Sequence, residues 1–179
     1  MTTHVDRTTF VIMAGLPGTG KTALSEALAR RLGGVVINKD KVRAALFPPG
    51  AITYSGGQND FCMSVVVMAA QRIAAERSVP FVFFDGRTFS RTQHWQQVVQ
   101  AGAMIGTGYK VLHLHCPEAL ALERIKQDRG KHPATNRDPL LYFLVKSYFE
   151  PITLPKLDVD TSRPIEECVQ LCVAYLTNH

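Results

Sequence analysis

Residues 15–22 read Gly15-Leu16-Pro17-Gly18-Thr19-Gly20-Lys21-Thr22 and match the pattern G-x-x-x-x-G-K-[ST] at every fixed position. Three glycines let the backbone fold around an anion, so that successive N–H groups and the N-terminus of a following helix point at it. Gly15, Pro17, Gly18, Thr19, Gly20, Lys21 and Thr22 are therefore the expected phosphate-binding set. Lys21, read as a solvent-facing loop residue, has the reach for β- and γ-phosphates, and the Thr22 hydroxyl is placed to ligate Mg2+. This is nucleoside triphosphate chemistry. A guanine reader needs N-K-x-D; Asn38-Lys39-Asp40-Lys41 begins correctly but carries Lys where the second Asp belongs, which leaves ATP as the expected nucleotide. A mechanical ATPase needs more sheet and an intersubunit arginine, so the size of the chain favours a small phosphotransferase.

Phosphoryl transfer to a hydroxyl needs a group that takes the acceptor's proton and cations that meet the developing charge. Asp40 and Arg43, three apart at a helix start, can face one cleft. Asp40 is the expected base; its alternative role is the N-cap of a helix over Lys41 to Leu46. Asp85 ends an apolar run and is followed by Gly86 and Arg87, which suits an acid that holds a Mg2+-bound water or orients substrate, with Arg87 as an anion partner. Asp40 and Asp85 compete for the part of base. Arg124, Lys126, Arg129, Lys131 and Arg137 face the lone Asp128, and this segment, about 124–138, reads as a basic lid in which Arg124 and Arg129 act on transition-state charge. His113 and His115 alternate in a strand and read as packed or hydrogen-bonded, and no metal cluster is expected from them. His94 and Trp95 read as packing, while Phe47, Tyr54 and Phe61 flank a loop, about 47–60, that could line an acceptor pocket.

The elements that must position these groups alternate. Apolar β-rich runs at Phe10 to Ala14, Val35 to Ile37, Phe81 to Phe84, Val111 to His115 and Leu157 to Val159 are separated by helical patterns. The helices are expected over Lys21 to Leu32, Asp60 to Arg77, Arg91 to Ala101, Glu118 to Arg129, Leu140 to Phe149 and Ile165 to Leu176. Gly33 and Gly34 stop the first, and Pro117 opens the one at Glu118. Phe47 to Asn59 and Gly130 to Asp138 are too rich in Gly, Pro and polar residues for regular structure. Alternation of this kind argues for an α/β fold, a parallel sheet covered on both faces that binds ligand at the carboxyl ends of its strands.

At 179 residues with 46% hydrophobic content, one domain over residues 1–179 is expected, and wholesale disorder is excluded. The net charge of +5 is concentrated in the lid segment, which points to an acidic ligand met locally more than to a long nucleic-acid footprint. Cys62, Cys116, Cys168 and Cys172 lack metal spacing and read as core thiols. With no apolar leader or long apolar run, a cytoplasmic protein with no membrane partner is expected.

GLPGTGKT, INKDKVRAALF, FVFFDGRTFSR, LHLHCPEALALERIKQDR and LDVDTSRPIEE follow in the order seen in small P-loop kinases of the adenylate-kinase-like fold. The chain resembles the group that includes zeta-type toxin kinases, chloramphenicol phosphotransferases and polynucleotide 5′-kinases. The resemblance implies a five-stranded parallel sheet, MgATP as donor, an acceptor-activating Asp40, a substrate-contacting Arg43, and lid arginines including Arg124 or Arg129. Asn38-Lys39 stands where the group often has Ser or Thr, and Asp85-Gly86-Arg87 where Asp-Ala-Thr is usual. The expectation is thus a kinase acting on a hydroxyl of a small-molecule acceptor. The alternatives are a kinase acting on a nucleic-acid 5′-hydroxyl end or a sugar nucleotide, and an ATP-binding regulator that does not transfer phosphate.

Overall fold

The computed structural model describes residues 7–128, 136 and 138–178. Five strands, β1 (Thr9–Ala14), β2 (Val35–Asn38), β3 (Phe81–Asp85), β4 (Gly108–His115) and β5 (Leu157–Asp160), form one all-parallel sheet in the order β2-β3-β1-β4-β5. Because side chains alternate across a strand, β1 sends Phe10, Ile12 and Ala14 to one face and Val11 and Met13 to the other. The first face packs on α3 (Gly56–Ala75) and α4 (Thr92–Met104), with Phe10 edge-on to Phe84 at 5.1 Å between ring centroids. The second packs on α1 (Lys21–Leu32) and α7 (Ile165–Thr177). Continuous apolar strands follow from this two-sided cover.

Among the described residues there are three more α-helices: α2 (Lys39–Leu46), α5 (Glu118–Gln127) and α6 (Pro139–Ser147). α1 has the bounds expected from its flanking glycines, closing at Gly33 in the left-handed region. Several other expected bounds need correction. The 47–59 segment is not wholly irregular: it holds a 3-10 turn at Pro49–Ala51, and Gly56 to Asn59 are the first turn of α3, started by the Ser55 side chain accepting from the Gln58 N–H at 3.2 Å. β4 begins three residues earlier than its apolar run because Gly108 to Lys110 pair with Thr9 to Val11. The lid expected at 124–138 is described only at 124–128, 136 and 138; Arg129, Lys131, His132 and Arg137 lie outside the described residues.

Cys62, Cys168 and Cys172 are buried as free thiols, and Cys116 is half-buried. His113 hydrogen-bonds Asp158 at 2.6 Å, as expected of a satisfied strand histidine, and Trp95 is core. Among the described residues no helix is long and apolar enough to cross a membrane.

Candidate active site

β1 runs into the glycine-rich loop at the carboxyl edge of the sheet. Gly15, at φ +139°, lies so close to β4 that a Cβ would sit 2.3 Å from the Leu114 carbonyl. Gly18, at φ +80°, would likewise meet the Ala121 carbonyl of α5 at 2.3 Å. Only glycine fits either position, which explains the spacing read from the sequence. Thr19 closes the turn by donating its hydroxyl to the Leu16 carbonyl at 2.8 Å. Lys21 is the first residue of α1 and is buried, not solvent-facing; its ammonium donates to the Gly15 and Leu16 carbonyls at 2.9 and 2.7 Å. The reason is the curl of the loop, which folds back over the lysine tip. Loop N–H groups at a helix N-terminus with a lysine inside the curl make a cradle for a polyphosphate.

The sheet register sets Asn38 opposite Asp85 at the ends of β2 and β3. Asp85 Oδ2 accepts from the Thr22 hydroxyl at 2.8 Å and from the Asn38 amide at 2.6 Å, while Oδ1 is buried with no partner among the described residues. An orphaned carboxylate oxygen beside the loop hydroxyl is a hard oxygen pair that fits Mg2+ and its waters. The Asn38 side-chain oxygen accepts from the Asp40 and Lys41 N–H groups at 2.9 and 3.0 Å. Asn38 is therefore the cap of α2, and the capping alternative for Asp40 is corrected: Asp40 lies one residue inside the helix, which begins at Lys39.

Freed from capping, Asp40 pairs with Arg43 at 2.6 Å and Lys39 at 3.5 Å through its Oδ1. Arg43 is 2% exposed, donates to Asn59 and stacks over the Tyr54 ring at 4.8 Å. Burial, assisted by Arg43 and Arg87 and opposed by Asp40, pulls the Lys39 ammonium below its ordinary value. Arg87 pairs with Asp60 at 2.8 Å. Arg124 reaches from α5 to the residue after β5, donating to the Thr161 carbonyl at 2.8 Å, and Thr161 in turn donates to the Thr19 carbonyl at 3.0 Å.

Pro17, Gly18, Gly20, Lys21, Thr22, Lys39, Asp40, Arg43, Asp85, Arg87, Arg124 and Thr161 line one cleft of about 860 Å3, whereas Gly15, Thr19 and Asn38 do not. Tyr54 is on its wall, whereas Phe47 and Phe61 pack edge to face at 5.9 Å between ring centroids and are not. Thr161 and His94 were missed as site residues. A polar residue just past the carboxyl end of β5 was the signal for Thr161, whereas helical spacing alone cannot say that His94 points at a cleft.

His94 carries the clearest pH dependence. Burial first, then Arg87, Arg91 and Lys39, opposed by Asp60, push it down to about 4 from 6.5. Between those values the unfolded chain binds a proton that the folded protein refuses, so stability falls as pH drops from about 6.5 to 4. Urea melts across this range should show a shallower loss for His94→Gln than for the wild type; parallel curves would contradict the assignment.

Three comparisons with known proteins bear on this site. The profile of a family described as an AAA domain matches residues 10–138. No curated protein matches the chain. Among solved structures, a sugar kinase from Janibacter sp. HTCC2649 superposes with a TM-score of 0.70 at 14% identity, covering 96% of this chain and 99% of that one. The Mycobacterium tuberculosis APS kinase CysC, in complex with AMPPNP and APS, gives 0.70 at 17% identity with the same coverage. A gluconokinase from Sinorhizobium meliloti 1021 gives 0.65 at 22%, covering 95% and 91%. At these identities the likeness is one of fold.

Proposed function

The chain belongs to this AAA-domain family, and we propose that it is an ATP-dependent kinase transferring the γ-phosphoryl of MgATP to a hydroxyl of a small-molecule acceptor. The observation that carries the reading is a single cleft with the phosphate cradle on one wall and the Asp40, Arg43 and Arg87 group on the other. Two walls of this kind suit two substrates meeting in line. The fold neighbours, a sugar kinase, an APS kinase and a gluconokinase, support an alcohol acceptor.

In this mechanism Lys21 and the loop N–H groups would hold the β- and γ-phosphates, and Thr22 and Asp85 would hold Mg2+, which would supply positive charge against the phosphates. Arg43 fixes the Asp40 carboxylate by its ion pair on Oδ1, and Oδ2 takes the acceptor's proton as the hydroxyl attacks. Arg124, anchored on Thr161, meets the charge of the transferring group. Arg129 has the same role by its place in the sequence.

Arg124→Ala is expected to lower kcat by about a hundredfold while raising the KM for ATP only a few-fold, because its interaction strengthens in the transition state. Steady-state kinetics check this, and a pure KM effect would reduce Arg124 to a binding group. The reading itself is tested with γ-phosphate-labelled ATP, Mg2+ and a panel of antibiotics, sugars and their acids, nucleosides, sugar nucleotides and 5′-hydroxyl oligonucleotides. Label in a small molecule supports it; label confined to oligonucleotides or sugar nucleotides transfers the activity to those acceptors.

A further inference from the structure

The acceptor wall of the cleft has more cationic donors than its carboxylates satisfy. Lys39, Arg43, Arg87, Arg91 and His94 line it, against Asp40 and Asp60. Lys39 and both terminal nitrogens of Arg43 are taken up by Asp40 and Asn59, and Arg43 Nε alone is left without a partner among the described residues. Arg87 is not taken up in the same way: its side chain is 9% exposed, one terminal nitrogen reaches Asp60 at 2.8 Å, and the other is buried with no partner among the described residues. The Asp60 side chain is 62% exposed, so it cannot account for burying a whole guanidinium. His94 Nδ1, on the next helix, is also buried without a partner there, and Arg87 is the charged group that acts on it most strongly.

A buried guanidinium N–H with no acceptor costs about 1–3 kcal/mol or more, and native proteins rarely leave such an atom without a use; Arg87 and His94 each carry an unpartnered buried nitrogen and line the same cleft. Both are relieved by one compact oxyanion that accepts from the free arm of the Arg87 fork and from His94 Nδ1–H. Lys39 and Arg91 add positive potential around it.

We propose that Arg87 and His94 form an anion subsite on the acceptor wall, and that the acceptor is an anionic alcohol whose carboxylate or phosphate monoester docks there while its hydroxyl faces Asp40. The hydroxyl half of this statement rests on the kinase reading; the anion half rests on the two unpartnered buried atoms alone. An oxyanion held against His94 also opposes the effect of burial and the surrounding cations, and so raises the histidine's pKa on binding.

The phosphate cradle binds oxyanions too, so it is first filled with Mg2+ and AMPPNP. The protein is then titrated with inorganic phosphate or with acetate, following binding heat and the His94 ring resonances across pH. Saturable binding of at least one ion with an upward shift of the His94 pKa is expected, and the tighter of the two identifies the group the subsite was built for. Arg87→Gln should weaken that ion about tenfold or more, the equivalent of one charge-assisted hydrogen bond. Arg87→Lys, which keeps the charge but loses the fork, should weaken it by a smaller factor, and it serves if the glutamine variant does not fold. No saturation by either ion, or unchanged affinity in both variants, would overturn the subsite. Transfer is then compared within matched series: glycerol, glycerate and glycerol 3-phosphate, and a hexose, its aldonate and its phosphate. A kcat/KM favouring the anionic members supports the inference. Transfer to neutral members alone overturns it and leaves the kinase reading intact; ion binding without transfer to any acceptor of the wider panel retains the subsite and removes the kinase reading.

Discussion

Asp40→Asn is expected to cut single-turnover phosphoryl transfer by roughly two to four orders of magnitude, the range of a lost general base. ATP affinity should stay near that of the wild type, because Lys21, Thr22 and the loop are untouched. Stability bears on the reading, since Asp40 is inside α2 and paired with a fully buried Arg43. Asparagine keeps an acceptor for Arg43 but removes the compensating charge, so a loss of about 1–3 kcal/mol is expected, short of the cost of deleting a buried partner outright. The cap of α2 is unaffected because Asn38 provides it. Quench-flow transfer, ATP titration and thermal melts on one preparation separate these terms. Transfer near the wild-type rate would remove Asp40 from the mechanism and make Asp85 the next carboxylate to replace.

Lys21→Ala should have an effect of comparable size by a different route. The Lys21 ammonium is held against the Gly15 and Leu16 carbonyls inside the loop, which pre-positions it where the β- and γ-phosphates enter. Removing one such preorganised cation costs on the order of a hundred- to a thousandfold in transfer. It should also weaken ATP binding about tenfold or more, since a charge-assisted hydrogen bond is lost from the ground state as well. The fold should survive: alanine is a good residue for the first turn of a helix, and the loop's turn is set by Gly15, Gly18 and the Thr19 hydroxyl. Unchanged affinity and turnover would contradict the phosphate-cradle assignment.

The parts of this protein governed by local rules were legible in its residues. Gly20 and Gly33 bracket α1 to the residue, and four of the five strands lie within one residue of their apolar runs. The glycine spacing of the loop was legible because each glycine answers a steric demand that the strand-loop-helix order implies. What escaped was set by contacts across the fold. The first turn of α3 reads as loop because Gly56 and Gly57 are poor helix formers, yet the Ser55 cap starts the helix there. Asn38 reads as a departure from a Ser or Thr pattern; only the β2–β3 register shows its amide serving both the cap of α2 and Asp85. Lys21 reads as exposed because a sequence does not show a loop curling over its own lysine. His94 sits one residue before a core tryptophan, and no period distinguishes the one that faces the sheet from the one that faces the cleft.

The most direct measurement is the fate of the γ-phosphoryl in one turnover. Enzyme in excess is mixed with γ-labelled ATP, Mg2+ and the acceptor that performs best in the panel, and ADP, labelled acceptor and labelled inorganic phosphate are counted together. The account predicts one labelled acceptor for each ADP, with little free phosphate, and loss of that label in Asp40→Asn. Tight ATP binding with no ADP and no labelled acceptor, or ADP matched only by inorganic phosphate, would contradict it.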